Sequence, residues 1–384
     1  MSHTVTAGAP RHRRMTARSP HEAHRTATPL ELFFDLVFVV AIAQAGSGLH
    51  HAIAAAHPME GVTGYLLVFF AIWWAWMNFT WFASAYDVDD VPYRLAVFVQ
   101  IAGALILTAG VAAMFEARTL NGATVGGYVV MRLALVGQWL RAAAADREHR
   151  TTARRYALGI AVLQLAWVGM LFVPAFWIQG FVLLAALELA VPVWAERAGA
   201  TTWHPHHIAE RYGLLTLIVL GESVLGATRA VQSALASGEA LAGLAPVIVG
   251  GLLIVNSMWW VYFDRPVHDL LTNLRTAIVW GYGHYVVFAA AAAVGAGLAV
   301  AVDHATHHAK VGAATAGAAV AIPVAVYLLC LWFLHDRPEY RETRAFGPIA
   351  AVLILLTPLT GQAVLLTGAI MAALVASKLV VKTV

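Results

Sequence analysis

The sequence predicts an all-α polytopic integral membrane protein, with about twelve transmembrane helices arranged as two parallel six-helix repeats. Three observations predict it. Of 384 residues, 60% are hydrophobic and 12% are charged, where a soluble globular domain carries roughly 25% charged residues. Long apolar runs recur at lengths that match the ~30 Å of hydrocarbon in a bilayer. The basic residues gather on alternate connections, as orientation signals do.

The spans follow in order. Apolar runs cover residues 32–55, 62–82, 93–114, 126–144, 209–229, 243–263, 275–299 and 312–333. Two further blocks, 157–194 and 348–380, are too long for one helix, and each is interrupted near its middle: Pro174 with Gln179-Gly180, and Pro358 with Gly361-Gln362. Splitting both gives twelve spans. With the N-terminus inside, 20 of the 24 basic residues then fall on the inner side, including the tail arginines, Arg94, Arg141, Arg197, Arg211, Arg337, Arg341, Lys378 and Lys382. An odd number of spans would put Lys378 and Lys382 outside and weaken the positive-inside asymmetry. Both termini are therefore expected in the cytoplasm.

The halves echo one another. Glu31 and Glu210 are 179 residues apart, as are Trp81 and Trp260. Each half opens its first span with a glutamate, ends its second in tryptophans and an aspartate, and starts its third with Arg94 or Arg275. The expected organisation is a disordered basic cytoplasmic tail (1–28), a first six-helix repeat (29–195) and a second (196–384), copies of one orientation as in some carriers. The tail reading rests on five arginines and four histidines against a single acid, Glu22. A net charge of +3 gives nucleic-acid binding no electrostatic support. A lone cysteine, Cys330, excludes intrachain disulfides and cysteine-based metal sites. No Walker loop, Gly-x-Ser-x-Gly or His-Glu-x-x-His motif is present. Nothing in the sequence calls for a cofactor or a bound metal.

Ionisable groups inside a span cost ~2.5–3.5 kcal/mol each on insertion scales, so they must be paired, hydrated or used. Thr28-Pro29-Leu30-Glu31 reads as a helix start, with Thr28 as N-cap and Glu31 returning to it. Glu31 is then a capping residue or part of a proton- or cation-responsive pair with Asp35, one turn deeper. Asp35 is either such a site or the ion-pair partner of Arg94 or Arg211. On the seventh span, Glu222 follows Glu210 by 12 residues, about 18 Å at the helical rise. Gly221 and Gly226 flank Glu222 and would let a helix or substrate come close. His204, His206, His207 and Glu210 admit a metal cluster as well as a plain polar helix start; the outward-facing His50, His51, His57, His304, His307 and His308 are likewise a metal or pH site or ordinary polar surface.

Two aromatic spans, Trp73–Phe82 and Asn256–Asp264, end in interfacial tryptophans. Trp73, Trp74, Trp76, Asn78 and Asn256 lie deeper and suit a cavity for an aromatic or cationic ligand. The acidic stretch Asp87-Val-Asp89-Asp90 runs into Arg94, either as an inner gate or as pairing for Arg150, Arg154 and Arg155.

Glu31-Leu-Phe-Phe-Asp35-Leu-Val-Phe-Val-Val-Ala-Ile-Ala-Gln44, the Trp73–Arg94 stretch, Met131-Arg132 with Gln138-Trp-Leu-Arg141, and His207–Ser223 together resemble the bacterial low-temperature-requirement A family. The resemblance implies a multi-pass membrane protein, names no substrate or reaction, and carries over Glu31, Asp35, Asp87, Arg94, Arg132, Glu210, Arg211 and Glu222 as motif residues. These coincide with the polar groups that insertion cost singles out.

The expected function is secondary, proton-coupled transport of a small solute. Glu31, Asp35, Glu210 and Glu222 would serve as proton or cation sites, Asn78 and Asn256 as substrate contacts, and Asp87, Arg94, Arg132 and Arg211 as gate or ion-pair residues. A membrane-embedded enzyme acting on a lipid, isoprenoid or quinone, and a sensory or scaffold protein, are the alternatives. Apart from the solute, the partners are membrane lipids.

Overall fold

In the computed structural model, residues 11–20, 22, 25–238, 241–336 and 344–383 are described, and every regular element among them is helical. Residues 1–10, Arg337 and Arg341, together with the side chain of Lys382, lie outside this set. The helices are α1 (Pro29–Ala54), α2 (Pro58–Tyr86), α3 (Val91–Ala117), α4 (Gly122–Ala145), α5 (Arg150–Met170) and α6 (Trp177–Glu196). Then come α7 (Pro205–Ala236), α8 (Leu241–Phe263), α9 (Leu274–Ala305), α10 (Ala313–Leu331), α11 (Phe346–Leu356) and α12 (Ala363–Thr383). Ten helical segments among the described residues are long and apolar enough to cross a membrane. Two stretches expected as spans fall outside that set. The first turns of α5 carry Arg150, Arg154 and Arg155, and α11 with its following turn reaches only Thr360.

Local chemistry sets the boundaries. Asp90 caps α3 by accepting the Tyr93 amide at 3.0 Å. Asn121 caps α4 in a reciprocal box with Thr124 and donates to the Gly110 carbonyl at 2.7 Å, which ties the α3–α4 turn to the end of α3. The two long apolar blocks break where expected. Pro174 opens a 3-10 turn between α5 and α6, and Gly361, at φ +74°, takes the left-handed conformation between α11 and α12.

By packing, the chain divides into two compact units. The first comprises residues 1–41 and 70–211, the second residues 42–69 and 212–384, so α1, α2 and α7 each contribute to both. The first has an aromatic interior: Trp74, Trp76, Phe79, Tyr86 and Tyr93 are buried, and Trp139 stacks on Tyr156 at 4.2 Å. Its α3 and α4 touch through Gly103 and Gly127, where a Cβ on Gly127 would overlap the Leu107 and Gly103 backbone. In the second unit the alanine-rich α9 is buried along most of its length and meets α10 through Gly297, against Ala319.

The basic segment expected to be a disordered tail is packed where it is described. Met15 is buried, the Arg18 amide donates to the Ala85 carbonyl at 2.8 Å, and the Arg13 amide donates to Asp90 at 2.7 Å. Arginines and free amides of the segment meet carboxylates and carbonyls left open at the ends of α2, α3 and α4, which holds it in place.

Candidate functional site

The costliest ionisable pair of the sequence stands at the start of α1, in the first unit. The Thr28 amide and hydroxyl donate to Glu31 Oε2 at 2.7 and 3.0 Å, and the Glu31 amide donates back to Thr28 Oγ1 at 3.3 Å. The capping box is therefore real, and it uses one carboxylate oxygen. The other, Oε1, accepts from Arg211 Nη1 at 2.8 Å and from His207 Nε2 at 2.9 Å. Asp35 is gripped in bidentate fashion by the same guanidinium, at 2.9 Å from Nε and 2.6 Å from Nη2. The Trp76 indole adds a bond at 2.6 Å. Glu31, Asp35, His207 and Arg211 are all fully buried, and Phe79 lies under the guanidinium at 5.8 Å. Of the two ion-pair partners expected for Asp35, the structure selects Arg211. Every oxygen of the two carboxylates already accepts a donor.

Arg25 reaches the same cluster from the tail. It donates to the Ala83 carbonyl at 3.1 Å and lies 3.6 Å from Asp87 and 3.9 Å from Glu31. Arg18 approaches Asp87 at 3.7 Å. Burial, reinforced by Glu31, pushes the Asp87 carboxyl up to about 6 against the pull of Arg25 and Arg18. The expected Asp87–Arg94 gate is not formed. Arg94 instead grips Asp89 at 2.7 and 2.8 Å, with both side chains exposed. Asp90, held below the usual carboxylate range against the cost of burial, accepts from Arg141 and from the Arg13 and Tyr93 amides. Glu210 is half-buried and accepts the Ala27 amide at 3.0 Å, anchoring the tail.

A second buried network in this unit centres on Glu188, which the sequence reading missed. Its carboxylate accepts from Arg132 at 2.6 Å, Trp74 at 3.0 Å, Tyr128 at 3.1 Å, and Gln164 and Trp167 at 3.3 Å. The signal was present: Glu188 is a lone carboxylate in the apolar run Leu183–Leu189, subject to the same cost as Asp35. The deep tryptophans are corrected with it. Trp74 and Trp76 were expected to line a ligand cavity; their indoles instead serve buried carboxylates. Asn78 turns back to the Trp74 carbonyl at 2.8 Å, and Asn256, in the other unit, is exposed.

The second unit holds the open site. A cleft of about 300 Å³ lies between α1, α7 and α9, lined by Ser47, His50, Glu222, Arg229 and Asp303 together with small residues. Glu222 is half-buried and makes no hydrogen bond or ion pair among the described residues. His50 Nε2 meets Asp303 Oδ2 at 2.7 Å across the α1–α9 side. Gly295 brings α9 against Ser223 so closely that a Cβ there would collide with the α7 backbone, while Cβ atoms on Gly46 and Gly226 would meet open space. The glycines thus have two uses: one closes α7 onto α9, and two keep the cleft wide. The lining draws on residues 42–50 from the first half of the sequence and on 222–233 and 292–303 from the second.

His284, the histidine deep in α9, is fully satisfied: it bonds Tyr262 at 3.0 Å and the Trp280 carbonyl at 2.8 Å. The outer histidines do not converge. His51 bonds the Ser47 carbonyl, His57 pairs with Glu60 and His304 bonds the Val311 carbonyl. Among the described residues no group of three or more His, Cys, Asp or Glu side chains is placed to hold a metal.

With these elements placed, residues 26–382 match the family model described as bacterial low temperature requirement A protein (LtrA). The chain belongs to the LtrA family. Across 242 residues it is 26% identical to the uncharacterized protein RA0937 of Rhizobium meliloti (strain 1021), a match covering 61% of this chain and 57% of that protein. No solved structure matches. In the first unit Glu31, Asp35 and Arg211 form one closed ion cluster, whereas Glu222 stands on the wall of a cleft.

Proposed function

We propose that this LtrA-family chain is a secondary carrier of a small solute in the bacterial cytoplasmic membrane, with both termini inside and with Glu222 as its proton-responsive group. The twelve-span, two-repeat layout belongs to this proposal. The observation that carries it is the cleft between α1, α7 and α9. A carboxylate without a hydrogen-bond partner among the described residues, in a helix long enough to cross a bilayer, lines a cavity built from both halves of the sequence. A purely structural carboxylate in the same protein looks different: Asp35 and Glu188 are saturated with donors and sealed. The charged or titratable groups that share the cleft with Glu222 are Arg229 on its own helix, His50 on α1 and Asp303 on α9. The closed cluster of Glu31, Asp35, Arg211 and His207 serves to lock α1, α2 and α7 together, and Arg132 with Glu188 does the same for α2, α4, α5 and α6.

The test is gradient-driven movement. Protein reconstituted into vesicles containing an entrapped pH dye is given an inward proton gradient and a panel of small solutes. Wild-type protein is expected to couple solute entry to proton entry. Glu222→Gln is expected to lose at least tenfold of that coupled flux while keeping its fold. Full coupled flux in Glu222→Gln would sink the assignment.

A further inference from the structure

We infer that the α1–α7–α9 cleft takes a small zwitterion of the α- or β-amino-acid type, its ammonium on Glu222 and its carboxylate on Arg229; the transport of that ligand, though not its binding, rests on the carrier reading above. The volume, about 300 Å³, lies at the lower end of the ~300–1,000 Å³ usual for ligand pockets. The occupant is therefore small.

The charges define its chemistry. Glu222 and Arg229 share one face of α7, two turns apart, and both line the cleft. Neither forms an ion pair among the described residues, and their spacing gives the reason. Seven residues rise ~10.5 Å along a helix, too far for a direct contact. Helical side chains lean toward the N-terminus, so the longer arginine closes part of that rise on the shorter glutamate. Allowing a hydrogen bond of ~2.9 Å at each end leaves a gap of less than about 5 Å to be filled. The ammonium and carboxylate groups of an amino acid, separated by one or two carbons, span a gap that short. A simple amine would answer Glu222 and face Arg229 as a like charge; a simple acid would do the reverse. An inorganic cation would need several converging oxygens, yet Asp303 is already engaged by His50.

The remaining wall is made for a short side chain. Gly46 and Gly226 leave open space where a Cβ would stand, and Ala43, Ala230, Ala292, Ala296 and Ala299 add only methyl groups to the wall. Small amino acids fit this surface; aromatic ones exceed the room.

The experiment measures binding to purified full-length protein, apart from transport. Thermal unfolding in detergent is followed with glycine, L-alanine, L-serine or β-alanine, and with propylamine and propionate as single-charge controls. At least one zwitterion is expected to raise the midpoint saturably, with neither control doing so at equal concentration. Glu222→Gln and Arg229→Gln should each weaken that binding at least tenfold. Gly226→Leu, which fills the cleft from a position with no neighbour to displace, should abolish the shift even if a charge variant folds poorly. Propylamine stabilising as well as L-alanine, or Arg229→Gln binding L-alanine normally, overturns the inference, as does the absence of any shift with all four zwitterions. Zwitterion binding without gradient-driven flux would instead overturn the carrier reading and leave the binding site standing.

Discussion

Asp87 is the residue whose titration the fold has moved into an accessible range. Its carboxyl titrates near 3.8 when free and is pushed up to about 6 in the folded chain by burial and by Glu31. Between those values the folded state keeps a proton that the unfolded state has lost. Stability therefore falls as pH rises from about 4 to 6, and the contribution is gone above the folded value. Every tenfold change in proton affinity is worth ~1.4 kcal/mol, so the effect is on the order of a few kcal/mol, in the direction opposite to an ordinary salt-bridged aspartate. Asp87→Asn should flatten this slope, so that the difference in unfolding midpoint between wild type and variant grows from pH 4 to 6 and levels off above. An unchanged slope in Asp87→Asn would place the titration elsewhere. Residues of this kind were only partly legible in the sequence. The Thr28–Glu31 cap follows from spacing, and cost calls for a partner to Asp35 while leaving Arg94 and Arg211 both open. That Asp87 meets Arg18 and Arg25 rather than Arg94 does not, because the tail's composition resembles that of an unfolded segment and its partners become known only when the ends of α2 and α3 are in place.

At the scale of elements, apolar length and breakers located the helices, since a chain in hydrocarbon has few alternatives to closing its backbone bonds within each helix. Pro174 and Gly361 divide the two long blocks, and the Asp90 and Asn121 caps start α3 and α4. Which faces meet was not legible, because helices that are apolar all round carry no amphipathic stripe to orient them. The contacts are set by small residues instead, which let backbones come close where lipid gives no hydrophobic drive to associate. Gly127→Ala and Gly297→Ala should both destabilise, by roughly 1–3 kcal/mol as for other overpacked sites, because each added methyl would overlap the facing helix at Leu107 or Ala319. Gly226→Ala, with open space around the new methyl, should be neutral or gain about 0.5–1 kcal/mol from helix propensity. Unfolding midpoints of the three variants in one detergent check the ranking; a Gly297→Ala protein as stable as Gly226→Ala would contradict the packing account.

For the molecule as a whole, the number of crossings turns on α5 and α11, and the arginine-rich start of α5 keeps it outside the set of plainly membrane-spanning helices. Its contacts set the condition under which it would cross. Thr152 donates to the Gly199 carbonyl at 2.8 Å, Tyr156 to Glu196 at 2.8 Å and Arg155 to the Trp194 carbonyl at 3.2 Å. The start of α5 thus lies beside the end of α6, and the two form a hairpin with its tip at Pro174. A helix of 21 residues measures about 31 Å, the thickness of the hydrocarbon. If α6 crosses, α5 runs the same depth in reverse, with its arginines at the basic inner surface. The segment after α6, with Arg197, then returns to the side that holds Arg147 and Arg150, which is what the charge asymmetry requires. Single cysteines in a Cys330→Ala background decide it by labelling intact cells with a membrane-impermeant maleimide. Lys310→Cys should react from outside, whereas Glu148→Cys and Ala200→Cys should react only after the membrane is opened. All three positions are solvent-exposed, so lack of reaction reports sidedness rather than burial. Labelling of Ala200→Cys in intact cells would remove α5 from the crossings, put Arg197 outside and end the case for six spans in each half.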